Sequence, residues 1–70
     1  MINHMEYSVM FGRKLKRVRL QKGLMQIDVA VASDMNRTYI SRLETGKARV
    51  TTAVLFRLAR GLEIRSAELI

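Results

Sequence analysis

Proline is absent from this chain, and no segment alternates apolar and polar side chains over several positions. A half-buried β-strand needs that alternation, and proline is the strongest interruption of a helix. The chain is therefore expected to be all-helical, divided by capping residues and glycine.

Four segments carry the helical period. The first is expected over about Ser8 to Lys22, with Ser8 as N-cap, Phe11, Leu15 and Val18 as its apolar stripe, and Gly23 as its stop. The second fits Gln26 to about Ser33, with Val29 and Ala30 facing inward. Asp34 follows at a turn, where Asp tolerates a left-handed backbone better than most residues. Asn36 caps a third helix, roughly Arg37 to Thr45, held by Tyr39, Ile40 and Leu43 and ended by Gly46. A fourth begins at Thr51 or Thr52 and runs to Leu62, with Leu55, Leu58, Ala59 and Leu62 as its stripe. Gly61 is expected to loosen its last turn, since glycine costs about 1 kcal/mol relative to alanine inside a helix. "SAELI" is expected to add a short final turn capped by Ser66.

Seventy residues form one domain at most, with a thin core, because a chain of this size buries only about 60% of its unfolded surface. An apolar content of 49% suits a folded protein. The lack of Cys excludes a disulfide framework and thiolate metal sites. No apolar run approaches the roughly 20 residues of a membrane span. "MINHMEYSVM" lacks the basic-then-apolar order of a secretory signal, so a cytoplasmic protein is expected. Thirteen Lys and Arg against six acids give a net charge of +7, which points to a polyanionic partner.

The second and third segments, separated by about three residues, read as a helix-turn-helix, whose second helix enters the DNA major groove. The segment "Q-x-x-V-A-x-x-S-D-M-N-x-x-x-I-S-x-L-E-x-G-K" resembles the lambdoid phage repressor and Cro-type family, also called XRE-type. "R-x-x-x-G-L-x-Q" before it and "L-x-R-L-A-R-G-L-E-I" after it resemble the flanking helices, so the likeness runs from about Phe11 to Leu69. It implies an all-α, lambda-repressor-like bundle of about five short helices, spanning residues 1–70 with residues 1–7 as an N-terminal arm.

The third segment suits a reading helix on physical grounds as well. With Ile40 and Leu43 turned to the core, Arg37, Thr38, Ser41 and Arg42 lie largely on the other face. Arginine can offer a bidentate fork to guanine, and a threonine methyl can touch thymine. The resemblance implies base reading by Arg37, Thr38 and Arg42, with contributions from Ser41 and Asn36. It also implies a phosphate contact from Gln26. Lys47, Arg49, Thr51 and Thr52 are expected to grip phosphate too, which positions a protein without specifying sequence. The family pairs an arginine of the first helix with a glutamate ending the third, here Arg19 with Glu44. Glu44 is therefore structural.

Several residues depart from the family pattern. Met25 stands where a capping Ser, Thr or Asn is usual, at a cost of about 1 kcal/mol. Asp34 replaces a common turn Gly, and Val50 a common Pro. Ile27 and Val31 form an apolar i, i+4 strip where polar residues are usual, which the N-terminal arm, through Ile2, Met5 or Tyr7, is expected to shield.

No metal, cofactor or catalysis is expected. The single His4 has no companion ligand, no Gly-rich phosphate loop is present, and Ser8, Ser33 and Ser41 are accounted for as cap, turn and surface residues. The expected function is a dimeric, sequence-specific transcriptional regulator on a palindromic operator in double-stranded DNA. The homodimer interface is expected in the C-terminal region, centred on Ile64, Leu69 and Ile70. The alternative is an antitoxin or other protein-interaction module that also binds DNA, motivated by the Ile27/Val31 strip and the five Met residues. Binding to a membrane surface by the basic first helix is a weaker rival, because its apolar stripe is needed by the core.

Overall fold

The computed structural model describes residues 1–70. Helix α1 spans His4–Gln21, α2 Gln26–Ala32, α3 Arg37–Glu44 and α4 Thr52–Leu62, and a 3₁₀ turn follows at Ser66–Leu69. This is the all-α, helix-turn-helix bundle that the patterning predicts.

The largest departure lies at the N-terminus. Asn3, not Ser8, caps α1, accepting from the Glu6 N–H at 2.8 Å. Residues 4–7, expected as an arm, are its first turn. Ser8 is buried and its hydroxyl donates to the His4 carbonyl at 2.8 Å. An Asn three residues before a Glu is itself a helix-start signal, and it outcompetes the interior serine. This turn packs beside Gly46 to Arg49, with Val9 against Gly46. It does not shield the strip on α2: Met5 remains 67% exposed and Val31 75% exposed.

Eleven apolar residues make one core: Phe11 and Leu15 from α1, Val29 and Ala30 from α2, Ile40 and Leu43 from α3, Val54, Leu58, Ala59 and Leu62 from α4, and Leu69. Leu69 is fully buried, which corrects its expected place in a dimer interface. A four-residue turn has no period from which its inward side can be read. It folds back against α4 and α1, and that packing selects Leu69. Arg65 rather than Ser66 occupies the cap position, where its N–H donates to Glu68 Oε2 at 3.0 Å.

Two glycines inside helices mark close approaches. A Cβ on Gly12 would lie 2.7 Å from the Glu44 carbonyl oxygen, so α1 and α3 meet backbone to backbone there. A Cβ on Gly61 would lie 2.5 Å from Ser33 Oγ and 2.9 Å from the Ala32 carbonyl oxygen. Gly61 thus admits α2 against α4 rather than loosening α4, whose left-handed end comes two residues later at Glu63.

The same contact leaves Ser33 Oγ buried without a hydrogen-bond partner. An unpaired buried hydroxyl costs about 1–3 kcal/mol. Ser33→Ala is expected to stabilise the protein by about 1 kcal/mol, raising the melting temperature by about 4–8 °C. A melting temperature that falls on this substitution would show that the hydroxyl is satisfied in solution.

Candidate nucleic-acid interface

The turn between α2 and α3 is built from local chemistry. Asp34 takes the left-handed conformation at φ 56°. The Met35 N–H donates back to the Ala30 carbonyl at 2.8 Å, closing α2. Asn36 Oδ1 then accepts from the Tyr39 N–H at 2.7 Å and starts α3. At α2's own start Met25 provides no cap, but Asp28 accepts the Met25 N–H at 2.7 Å, recovering half of a capping box.

Helix α3 has two distinct sides. Ile40, Leu43 and Glu44 are buried. Arg37, Thr38 and Arg42 are exposed, while Ser41 is half-buried. At 3.6 residues per turn, Thr38 and Arg42 lie nearly opposite the buried side, with Arg37 and Ser41 on one flank. Asn36 is exposed beside them, but its side-chain oxygen is committed to the cap and only its amide N–H groups remain to donate.

Two outward residues were not distinguished by sequence reasoning. Thr45 is exposed on the same side as Thr38, with its hydroxyl tied to the Ser41 carbonyl at 3.0 Å. Tyr39, expected only as an apolar contact, is half-buried at the edge of this face, and its hydroxyl has no partner within the protein. Its signal was weak because a tyrosine at helical spacing reads equally well as core.

Behind α3 lies a polar network. Arg19 Nε donates to Glu44 Oε2 at 2.6 Å, Arg19 Nη2 to Glu44 Oε1 at 3.1 Å, and Arg19 Nη1 to the Leu24 carbonyl at 2.9 Å. Gln26 Nε2 also donates to Glu44 Oε1 at 3.1 Å. Arg19 and Glu44 are only 8% and 7% exposed. The hydrogen bond that Arg19 donates to Glu44 raises the Arg19 pKa above its ordinary value against the opposing effect of burial, so the guanidinium stays charged. One carboxylate thereby joins α1, the start of α2 and the end of α3, and it restrains the Gln26 side chain.

The loop after α3 is also anchored. Arg42 Nη2 donates to the Lys47 carbonyl at 2.8 Å. Arg42 therefore has a structural tie in addition to its outward position. Lys47 and Arg49 are exposed along this loop, and Thr52 is exposed on the first turn of α4. Thr51 uses its hydroxyl to cap α4, accepting from the Val54 N–H at 3.2 Å. No three His, Cys, Asp or Glu side chains gather to hold a metal ion.

Residues 10–69 match the family described as helix-turn-helix domain. The chain belongs to that family. Among its relatives is control protein C.MunI from a Mycoplasma species, 38% identical over 65 residues, spanning 91% of this chain and 88% of the relative. Control protein C.BamHI from Bacillus amyloliquefaciens is 32% identical over 63 residues, spanning 89% of this chain and 78% of that protein. Among solved structures, the restriction-modification controller protein C.AhdI from Aeromonas hydrophila superposes with a TM-score of 0.89 at 34% identity, over 93% of this chain and 98% of C.AhdI. This helix-turn-helix protein is accordingly an XRE-type DNA-binding regulator and not an enzyme. No helix is long and apolar enough to cross a membrane.

Proposed function

We propose that this helix-turn-helix protein acts as a homodimer on a palindromic operator and controls transcription within a restriction–modification system. The observation that carries the reading is the exposed group Arg37, Thr38 and Arg42 on α3, with Thr38 and Arg42 opposite buried Ile40 and Leu43, Arg37 on the flank, and the helix braced through Glu44. The names of C.MunI, C.BamHI and C.AhdI support the biological setting.

Arg37, Thr38 and Arg42 read base edges in the major groove, and Ser41 and the Asn36 amide contribute at the margin. Gln26, Lys47, Arg49, Thr51 and Thr52 hold phosphates on either side of the reading helix, Thr51 through its backbone since its hydroxyl is a cap. Two copies of α3 are required because one covers only a few base pairs. A two-fold dimer sets the two about 34–36 Å apart on one face of the duplex.

The dimer surface lies on the outward side of α4. Leu69 belongs to the core and Ile70 borders α1, which leaves Phe56, 56% exposed, as the principal apolar anchor, with half-buried Ile64 and then Ile70 extending the surface. Phe56→Asp is expected to give a folded monomer in analytical ultracentrifugation, with weaker operator binding. If Phe56→Asp remains a dimer, the interface lies elsewhere.

Selection of bound sequences from random duplex DNA by the purified protein tests the proposal as a whole. A palindromic consensus with half-sites about one helical turn apart is the expected result, and its absence would remove the operator model. Titrations of that site should show log affinity falling linearly with log salt, as phosphate neutralisation by Lys and Arg requires. A flat response would contradict DNA as the main partner.

A further inference from the structure

The first turn of α1 and the loop after α3 face each other across a half-open groove of about 450 Å³. Both walls are fixed by local contacts. On one side Asn3 caps α1, and the Ser8 hydroxyl donates to the His4 carbonyl. On the other, Gly46 turns at φ 74°, and a Cβ there would lie 2.7 Å from Val9 Cγ2. The Lys47 N–H donates to the Arg42 carbonyl at 2.8 Å, and the Lys47 carbonyl accepts from Arg42 Nη2. Swinging the loop away from α1 would break these contacts.

His4 lines one wall of the groove, and Lys47 and Arg49 line the other. All three side chains are exposed. None has an ion-pair partner, the fold's two salt bridges being Arg19–Glu44 and Arg57–Asp34. No acidic side chain lines the groove. Glu6, two residues beyond His4, stands roughly 160° around α1 from it, and Glu44 is occupied by Arg19 and Gln26. The amino group of Met1, three residues before His4, adds charge of the same sign. Three bases without a counter-charge thus share one preformed groove.

We propose that this groove seats one phosphodiester of the DNA backbone, and that His4 on α1 joins Lys47 and Arg49 in holding it. The inference rests on the reading that the loop after α3 faces the duplex. That loop leads directly from the end of the reading helix, so the groove is continuous with the phosphate-contacting edge and extends it onto α1. A histidine changes charge between about pH 5 and 8, and a phosphate favours the charged form. Binding therefore takes up a proton at His4, and affinity is strengthened below that range and loses the gain as pH rises through it. Lys47 and Arg49 stay charged throughout and supply the part that does not depend on pH.

The test is affinity for the selected duplex, measured by fluorescence anisotropy from about pH 8 to about pH 5.5 at fixed salt. The wild type is compared with His4→Gln and His4→Lys. His4 is exposed, so the variants retain the core, and amide spectra report their folding directly. The wild type should gain about threefold to fivefold per protomer as pH falls, the ordinary strength of an exposed charge pair. His4→Gln should lose that gain, any response it keeps belonging to the Met1 amino group. His4→Lys should bind at the alkaline end about as tightly as the acidified wild type. The wild-type slope of log affinity against log salt should steepen by about 0.9 per protomer on acidification. Duplexes carrying one neutral methylphosphonate at a time locate the contact, and a single position in each half-site should abolish the gain. The same pH response in wild type and His4→Gln would overturn the proposal, even if Lys47→Ala and Arg49→Ala still weaken binding. If those two variants bind as well as the wild type, the loop does not face the duplex and the reading beneath the proposal falls with it. A gain that survives every methylphosphonate replacement would also overturn it, because His4 would then act as diffuse charge or on a free phosphate.

Discussion

Replacing Glu44 by alanine is expected to lower stability by about 3–5 kcal/mol, because it leaves the buried Arg19 guanidinium without its counter-charge. A domain of this size has roughly 4–10 kcal/mol in total, so the loss would be a large part of it. The substitution also takes the hydrogen-bond partner from Gln26. Thermal melts should show Glu44→Ala far less stable than the double variant Arg19→Met, Glu44→Leu, which removes both charges and fills the space. A buried ion pair can be exchanged for apolar side chains at little cost even though neither partner can be removed alone. Equal stability of Glu44→Ala and the wild type would mean that water reaches Arg19 readily in solution.

Arg37→Ala is expected to weaken operator binding by about 1–3 kcal/mol per half-site, or about 2–6 kcal/mol for a symmetric dimer. That is a loss of roughly 30-fold to 10⁴-fold, accompanied by relaxed preference at one base position in each half. Arg42→Ala should behave differently. Its Nη2 also holds the Lys47 carbonyl, so the loop that carries Lys47 and Arg49 loses its anchor. Arg42→Ala should therefore reduce binding to all sequences as well as relaxing specificity. Lys47→Ala and Gln26→Ala should reduce all sequences evenly, with preference intact. If selection with Arg37→Ala returns the wild-type consensus, Arg37 does not read bases.

The contrast between Arg37 and Arg42 shows what a linear reading can reach. Both arginines stand outward from Ile40 and Leu43, and helical period alone places them there. That one is free and the other tied to a loop carbonyl depends on where residues 46–49 turn, which no local pattern states. Tyr39 is similar. Its spacing puts it near the core, and only the packed neighbours decide that its hydroxyl stays outside.

Local chemistry determined most of the architecture. Asn36, Thr51, Gly23 and Gly46 begin and end helices because caps and left-handed turns are satisfied within a few residues. The buried stripes of α1 to α4 follow from a period of 3.6, and Asp34 turns where its backbone tolerance allows. The N-terminal boundary was legible too, in Asn3 and Glu6, although Ser8 offered a competing signal. Tertiary structure decided the rest. It buried Leu69, exposed the Ile27/Val31 strip that no arm covers, made Gly12 and Gly61 contact points between helices, and set His4 across a groove from Lys47 and Arg49. Each of these depends on which surfaces meet across long stretches of chain, and the geometry of that meeting is set by packing the whole core at once.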